Sequence, residues 1–128
     1  MANRKVVVIG TSTGGLKALR VVLRDLPSDL PAAILITMHI GAWPSIFPDI
    51  LQRACALPVR HAVDGEPIES SFVYIAPSDR HMLLAEGAIR LSRGPKENFA
   101  RPAIDPLFRS AAVEYGTSHR HCTNRRIR

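Results

Sequence analysis

The chain has 128 residues, 46% hydrophobic and 22% charged, with 8 glycines and 10 prolines; this fits one globular domain able to bury about two thirds of its unfolded surface without disulfides or metals. Its two cysteines, Cys55 and Cys122, form no C-x-x-C pair, and no apolar run reaches the ~18 residues of a membrane span. Val6 to Ile9 is too short for a signal peptide, so a cytoplasmic protein without membrane insertion is expected. The net charge of +6 is concentrated in Arg120, Arg125, Arg126 and Arg128, while the rest of the chain sets its basic side chains against all 11 acidic ones. With that balance and 5% aromatic content, nucleic-acid binding is not expected.

Lys5 to Ile9 is a continuous apolar, β-branched run closed by Gly10 and reads as a strand buried on both faces. Leu16, Leu19, Val22, Leu23 and Leu26 then follow helical spacing, with Lys17, Arg20 and Arg24 on the other side, until Pro27. Ala32 to Met38 is a second strand, and strand, helix, strand is the signature of an α/β protein with parallel neighbours. A helix is expected to start near Pro44 and carry Ile46, Phe47, Ile50, Leu51 and Ala54. Val59 to Val63 and Phe72 to Ala76 read as strands. Met82 to Leu84 and Ile89 to Leu91 read as a hairpin around Glu86-Gly87. Pro102 to Tyr115 is the last helix. Residues 117–128 hold one aliphatic side chain and no acid, so the domain is expected to span 1–116, with 117–128 a disordered basic tail.

Gly10-Thr-Ser-Thr-Gly-Gly15 falls between the first strand and the first helix, at the carboxyl edge where α/β sheets gather their sites. Its glycines permit a tight reversal and close backbone approach, and the helix behind it aims free N–H groups at that edge. Two chemistries suit this arrangement: phosphate binding, or a Ser12 nucleophile whose oxyanion is held by backbone N–H groups. The G-x-G-x-x-G and P-loop patterns are not met, which disfavours nucleotides. His39 follows the second strand as Ser12 follows the first; neighbouring strands lie ~4.8 Å apart, so residues just beyond their ends can meet. Spacing alone leaves open that Ser12 only caps the helix and that His39 is a surface residue.

Val8-Ile-Gly-Thr-Ser-Thr-Gly-Gly15, Thr37-Met-His-Ile40, Asp64-Gly-Glu66, Tyr74-Ile-Ala-Pro-Ser-Asp-Arg-His-Met82 and Arg101-Pro-Ala-Ile-Asp-Pro-Leu-Phe108 together resemble, in order, the catalytic domain of the chemotaxis protein-glutamate methylesterases (CheB-type). The resemblance covers residues 5 to 116. It implies a doubly wound, mostly parallel, Rossmann-like three-layer sheet and a Ser-His-Asp hydrolase acting on glutamate γ-methyl esters of methyl-accepting chemoreceptor cytoplasmic helices, some members also deamidating glutamines. By motif position Ser12 would be nucleophile, His39 general base and then acid, and Thr13 an oxyanion neighbour. Thr11, Arg80, His81 and Arg101 would line the substrate cleft. No cofactor and no metal is implied.

Two departures from the family are expected: a chain without a receiver domain ahead of Met1, and a basic tail after Gly116 where the family continues with an apolar strand and a Gly-rich loop bearing the triad aspartate. A sheet incomplete at its C-terminus, impaired hydrolysis and self-association through an exposed sheet edge are therefore expected. A non-enzymatic receptor-docking fragment and a phosphate-binding module are the rival readings. No other acid is assigned to the triad: Asp79 is expected to pair with Arg80, Asp105 to sit early in a helix, and Asp64 to form a turn. His61 is expected to be exposed, Trp43 to lie at the cleft rim or in the core, and Cys55 to be a buried small hydrophobe. His119, His121 and Cys122 match no closed zinc site.

Overall fold

Strand β1 (Val6–Ser12) pairs in parallel with β2 (Ala33–His39), because two β-branched apolar runs joined by a helix can satisfy their backbones side by side while burying both faces. A computed structural model describes residues 5–12, 15–39, 47–95, 102, 104–115 and 120–122. Helix α1 (Leu16–Arg24) joins β1 to β2, and α2 (Phe47–Gln52) leads to β3 (Val59–His61). Next in the chain, β4 (Val73–Ile75) inserts between β2 and β3. The hairpin of β5 (His81–Ala85) and β6 (Ala88–Ser92) follows, then α3 (Ile104–Tyr115) and β7 (Arg120–Cys122). The five-stranded sheet runs β3-β4-β2-β1-β7, all parallel, so one edge collects every carboxyl end.

Alternation along the strands divides the core into two layers. Ile9, Ile34, Ile36, Met38, Val59, Val73 and Ile75 pack with Leu19 and Leu23 of α1 and with Phe47 and Leu51 of α2. Val6, Val8, Ala33, Leu35 and Tyr74 pack on the other side with Leu107 and Ala111 of α3 and with Met82, Leu84 and Ile89 of the hairpin. This is the expected three-layer, doubly wound α/β arrangement. The hairpin turn is the two-residue kind with positive φ at both Glu86 (53°) and Gly87 (77°), the twist that matches antiparallel strands.

Three expectations need correction. Both strands run on past the apolar runs, so Gly10, Thr11 and Ser12 belong to β1, not to a loop after it. Gly10 serves side-chain packing where a reversal was expected: a Cβ there would lie 2.6 Å from Cγ2 of Ile104. Within the tail, Arg120–Cys122 form β7 against Val7–Ile9, because the free polar edge of β1 can be satisfied by any backbone, whatever its side-chain pattern.

The passage from α2 to β3 is held by one side chain. Gln52 Nε2 donates to the carbonyls of Leu57 (2.8 Å) and Cys55 (3.2 Å), while its Oε1 accepts the N–H of Val59 (2.8 Å). Cys55 is buried beside it, as its apolar neighbourhood required, and burial pushes its thiol above the ordinary 9.0. Burial likewise raises Tyr74 above 10.0; its hydroxyl accepts from Glu69 N–H and donates to Pro67 O. Both groups keep protons in the native state that the unfolded chain would release, so they stabilise the fold fully below those ordinary values. Stability should hold to about pH 8 and fall above about pH 9, and Cys55→Ala should move the onset about one unit higher. Urea midpoints measured from pH 7 to 11 check both statements, and a flat alkaline profile would contradict them.

Candidate active site

The parallel register places Ser12 directly opposite His39 at the carboxyl ends of adjacent strands. The pairs beneath are Thr11 with Met38 and Gly10 with Thr37. By alternation, positions 12 and 39 share the class of Gly10 and Thr37, which is the α3 face. Ile104, the first residue of α3, packs on Gly10, so the first turn of that helix, with Asp105, reaches the same end of β1. The segment from Ala76 to Arg80 follows β4 at that edge as well. Three separated motifs thus converge because parallel strands must end together.

The other named residues divide between the site and its support. Thr11 is 3% exposed and belongs to the opposite alternation class, toward α1 and α2, so it is a wall residue, not part of the cleft surface. His81 is buried, and its Nε2 lies 2.7 Å from the carbonyl oxygen of Pro95, a hydrogen bond in which the ring donates. It anchors the strand exit of the hairpin. Arg80 is exposed. Thr13, Arg101, Trp43 and His119 lie outside the described residues.

Two carboxylates in the matched motifs have partners in and just after β6. Asp64 Oδ1 accepts the N–H of Leu91 at 2.8 Å, tying the Asp64-Gly65 turn to β6. Asp79, at positive φ, pairs with Arg93 at 3.2 Å, not with Arg80, because its left-handed backbone turns the chain toward the hairpin. Glu66 is structural too: its carboxylate holds Arg60 through both oxygens (2.6 and 3.1 Å) and accepts the N–H of Val63, while the guanidinium stacks 5.5 Å from the Tyr74 ring. Asp-Gly-Glu therefore builds a corner of the fold.

Two buried polar atoms escaped the sequence reading. His61 was expected to be exposed, yet it is half-buried, with Nε2 enclosed and unpartnered among the described residues. Its place at the end of β3 puts it under the carboxyl edge. Thr37 is fully buried, directly beneath the Ser12–His39 pair, and its Oγ1 has no hydrogen-bond partner among the described residues. No periodic signal marks such an atom, since Thr suits a strand as well as Val does. A buried unpaired hydroxyl costs about 1–3 kcal/mol, so Thr37→Val should raise stability by about 1 kcal/mol in thermal unfolding. A loss of that size would show that the hydroxyl is a working partner.

A doubly wound parallel sheet carrying a serine and a histidine in register at its carboxyl edge defines an α/β protein of the edge-site class. Within that class, the sequence model of the CheB methylesterase family matches residues 7–122, and the chain belongs to that family. It is 46% identical over 116 residues to a protein-glutamate methylesterase/protein-glutamine glutaminase of Anaeromyxobacter dehalogenans, an alignment covering 90% of this chain and 34% of the relative. A Chromohalobacter salexigens protein of the same description is 44% identical, over 91% of this chain and 34% of its own length. The crystal structure of the Thermotoga maritima CheB methylesterase catalytic domain superposes with a TM-score of 0.88 at 33% identity, covering 95% of this chain and 67% of that one. The chain spans about a third of the length of the curated relatives it matches. No helix among the described residues is long and apolar enough to cross a membrane.

Proposed function

We propose that the chain carries the nucleophile and base of a protein-glutamate methylesterase, hydrolysing glutamate γ-methyl esters, with glutamine side-chain amides as a second substrate class. The observation that carries this reading is the in-register pairing of Ser12 with His39 at the sheet's carboxyl edge. A serine hydroxyl is a weak nucleophile near neutral pH, so His39 takes its proton as Oγ attacks the ester carbonyl. The tetrahedral oxyanion is stabilised by backbone N–H groups of the segment after Ser12, Thr13 among them. Collapse expels methanol, protonated by His39, and leaves an acyl-enzyme that water, activated by the same imidazole, converts to a free glutamate.

The relatives' printed names supply the substrate class, and methyl-accepting chemoreceptors in the cytoplasm are its proposed bearers. No acid is assigned to orient the imidazole in this mechanism; Asp64 accepts the Leu91 N–H and Asp79 pairs with Arg93. The test is methanol release from a small glutamate γ-methyl ester: the chain should release it slowly, as expected of an impaired hydrolase, and Ser12→Ala should release none. Equal release by both would defeat the reading. Self-association through the three-residue edge strand β7 belongs to the same proposal, and a sedimentation coefficient independent of concentration would remove it.

A further inference from the structure

We propose that the exposed face of α1 is a docking track for an acidic segment of the protein substrate; the identity of that partner rests on the hydrolase reading of Ser12 and His39. Lys17, Arg20 and Arg24 are exposed and, at about 100° per residue, fall within about 60° of one another around the helix. Val21, 46% exposed, lies beside them, and Leu19 and Leu23 anchor the helix from the other side. The helix holds no acidic residue, and neither ion pair among the described residues involves these three cations.

Helix stability does not explain this pattern. Lys17 sits in the first turn, where the macrodipole disfavours a cation. Arg20 and Arg24 form a like-charge i,i+4 pair, and Val21 and Val22 are exposed β-branched residues of low helix propensity. Arg24 alone is favoured, by the dipole in the last turn; the other choices weaken α1, and local rules broken together mark a surface kept for another purpose.

Position and chemistry say what the surface takes. Only residues 13–15 separate Ser12 from the start of α1, so the track begins beside the nucleophile and extends about 10 Å from Lys17 to Arg24. Each hydrolysed glutamate ester leaves a carboxylate on the segment that bore it, so the segment grows more acidic as it is processed. Three cations without an ion pair among the described residues, around an apolar seat, complement such a segment and would hold it while its remaining esters pass Ser12.

The experiment measures binding, by fluorescence anisotropy, of a labelled Glu/Ala peptide with one glutamate γ-methyl ester, using the Ser12→Ala chain so that turnover does not intervene. A control peptide carries Gln in place of every free Glu. The acidic peptide should bind and the control should not, and Lys17→Glu/Arg20→Glu should weaken binding about tenfold or more and remove its salt dependence. Arg53→Glu/Arg90→Glu, exposed elsewhere on the chain, should change affinity less than about twofold. The α1 variant places acid in the first turn and opposite Arg24, so its melting temperature should be no lower than the parent's. In a Ser12 background its release of methanol from the small uncharged ester should be unchanged. Affinity unmoved by the α1 changes, or a DNA duplex that binds as tightly as the peptide, would overturn the proposal. Binding that survives while methanol release proves independent of Ser12 would overturn the hydrolase reading and leave the docking surface standing.

Discussion

His39→Gln is expected to lower kcat for the glutamate γ-methyl ester by about 10³-fold or more, with little change in KM. Glutamine retains a polar side chain of similar reach but accepts no proton from Ser12 at neutral pH, so the loss isolates proton transfer. Ser12→Ala should cost at least as much, and the double variant should be no worse than the more damaged single one. Groups that act as a unit are not additive: once the nucleophile is gone, its base has nothing to deprotonate. Losses that multiply in the double variant would mean that the two residues act separately, and the face-to-face register of β1 and β2 would then be structural alone. The four rates, wild type, two singles and the double, are measured with the same small ester so that substrate docking does not enter.

Gly10→Ala should destabilise the fold by about 2 kcal/mol, an overpacking cost of the usual size for a well-filled core. The added methyl would stand 2.6 to 2.9 Å from three side-chain carbons of Ile104, and a β-branched side chain at a helix start cannot turn away cheaply. For a domain of this size that corresponds to a melting temperature lower by roughly 8 °C. Ile104→Ala removes all three clashing carbons, so the double variant should be more stable than the sum of the singles by at least about 1 kcal/mol. Strict additivity would show that the contact between β1 and α3 is not what requires glycine. Because Gly10 lies two residues before Ser12 on the same face, a shift of α3 should also impair hydrolysis in the single variant and recover in the double.

Much of the fold follows from local pattern. Continuous runs such as Val6 to Ile9 and Ile34 to Ile36 must be buried on both faces, and the structure covers them with α1 and α2 on one side and α3 and the hairpin on the other. The spacing of Leu16, Leu19 and Leu23 places α1, and Glu86-Gly87 places the hairpin turn. The motif order also placed Ser12 and His39 just past two strands now seen to be neighbours.

The sequence by itself determined the elements, the two-sided burial of the sheet and the family, because those depend on side-chain periodicity and motif order within short stretches. Only the tertiary structure decided that β4 lies between β2 and β3, that Ser12 faces His39 residue for residue, and that Gly10 makes room for Ile104. It also decided that Asp79 answers Arg93 and that Arg120–Cys122 add a strand where no apolar pattern announces one. Strand pairing is made by backbone N–H and C=O groups that every residue but proline carries alike, so register and neighbour order leave no mark in side-chain pattern and appear only when the chain closes on itself.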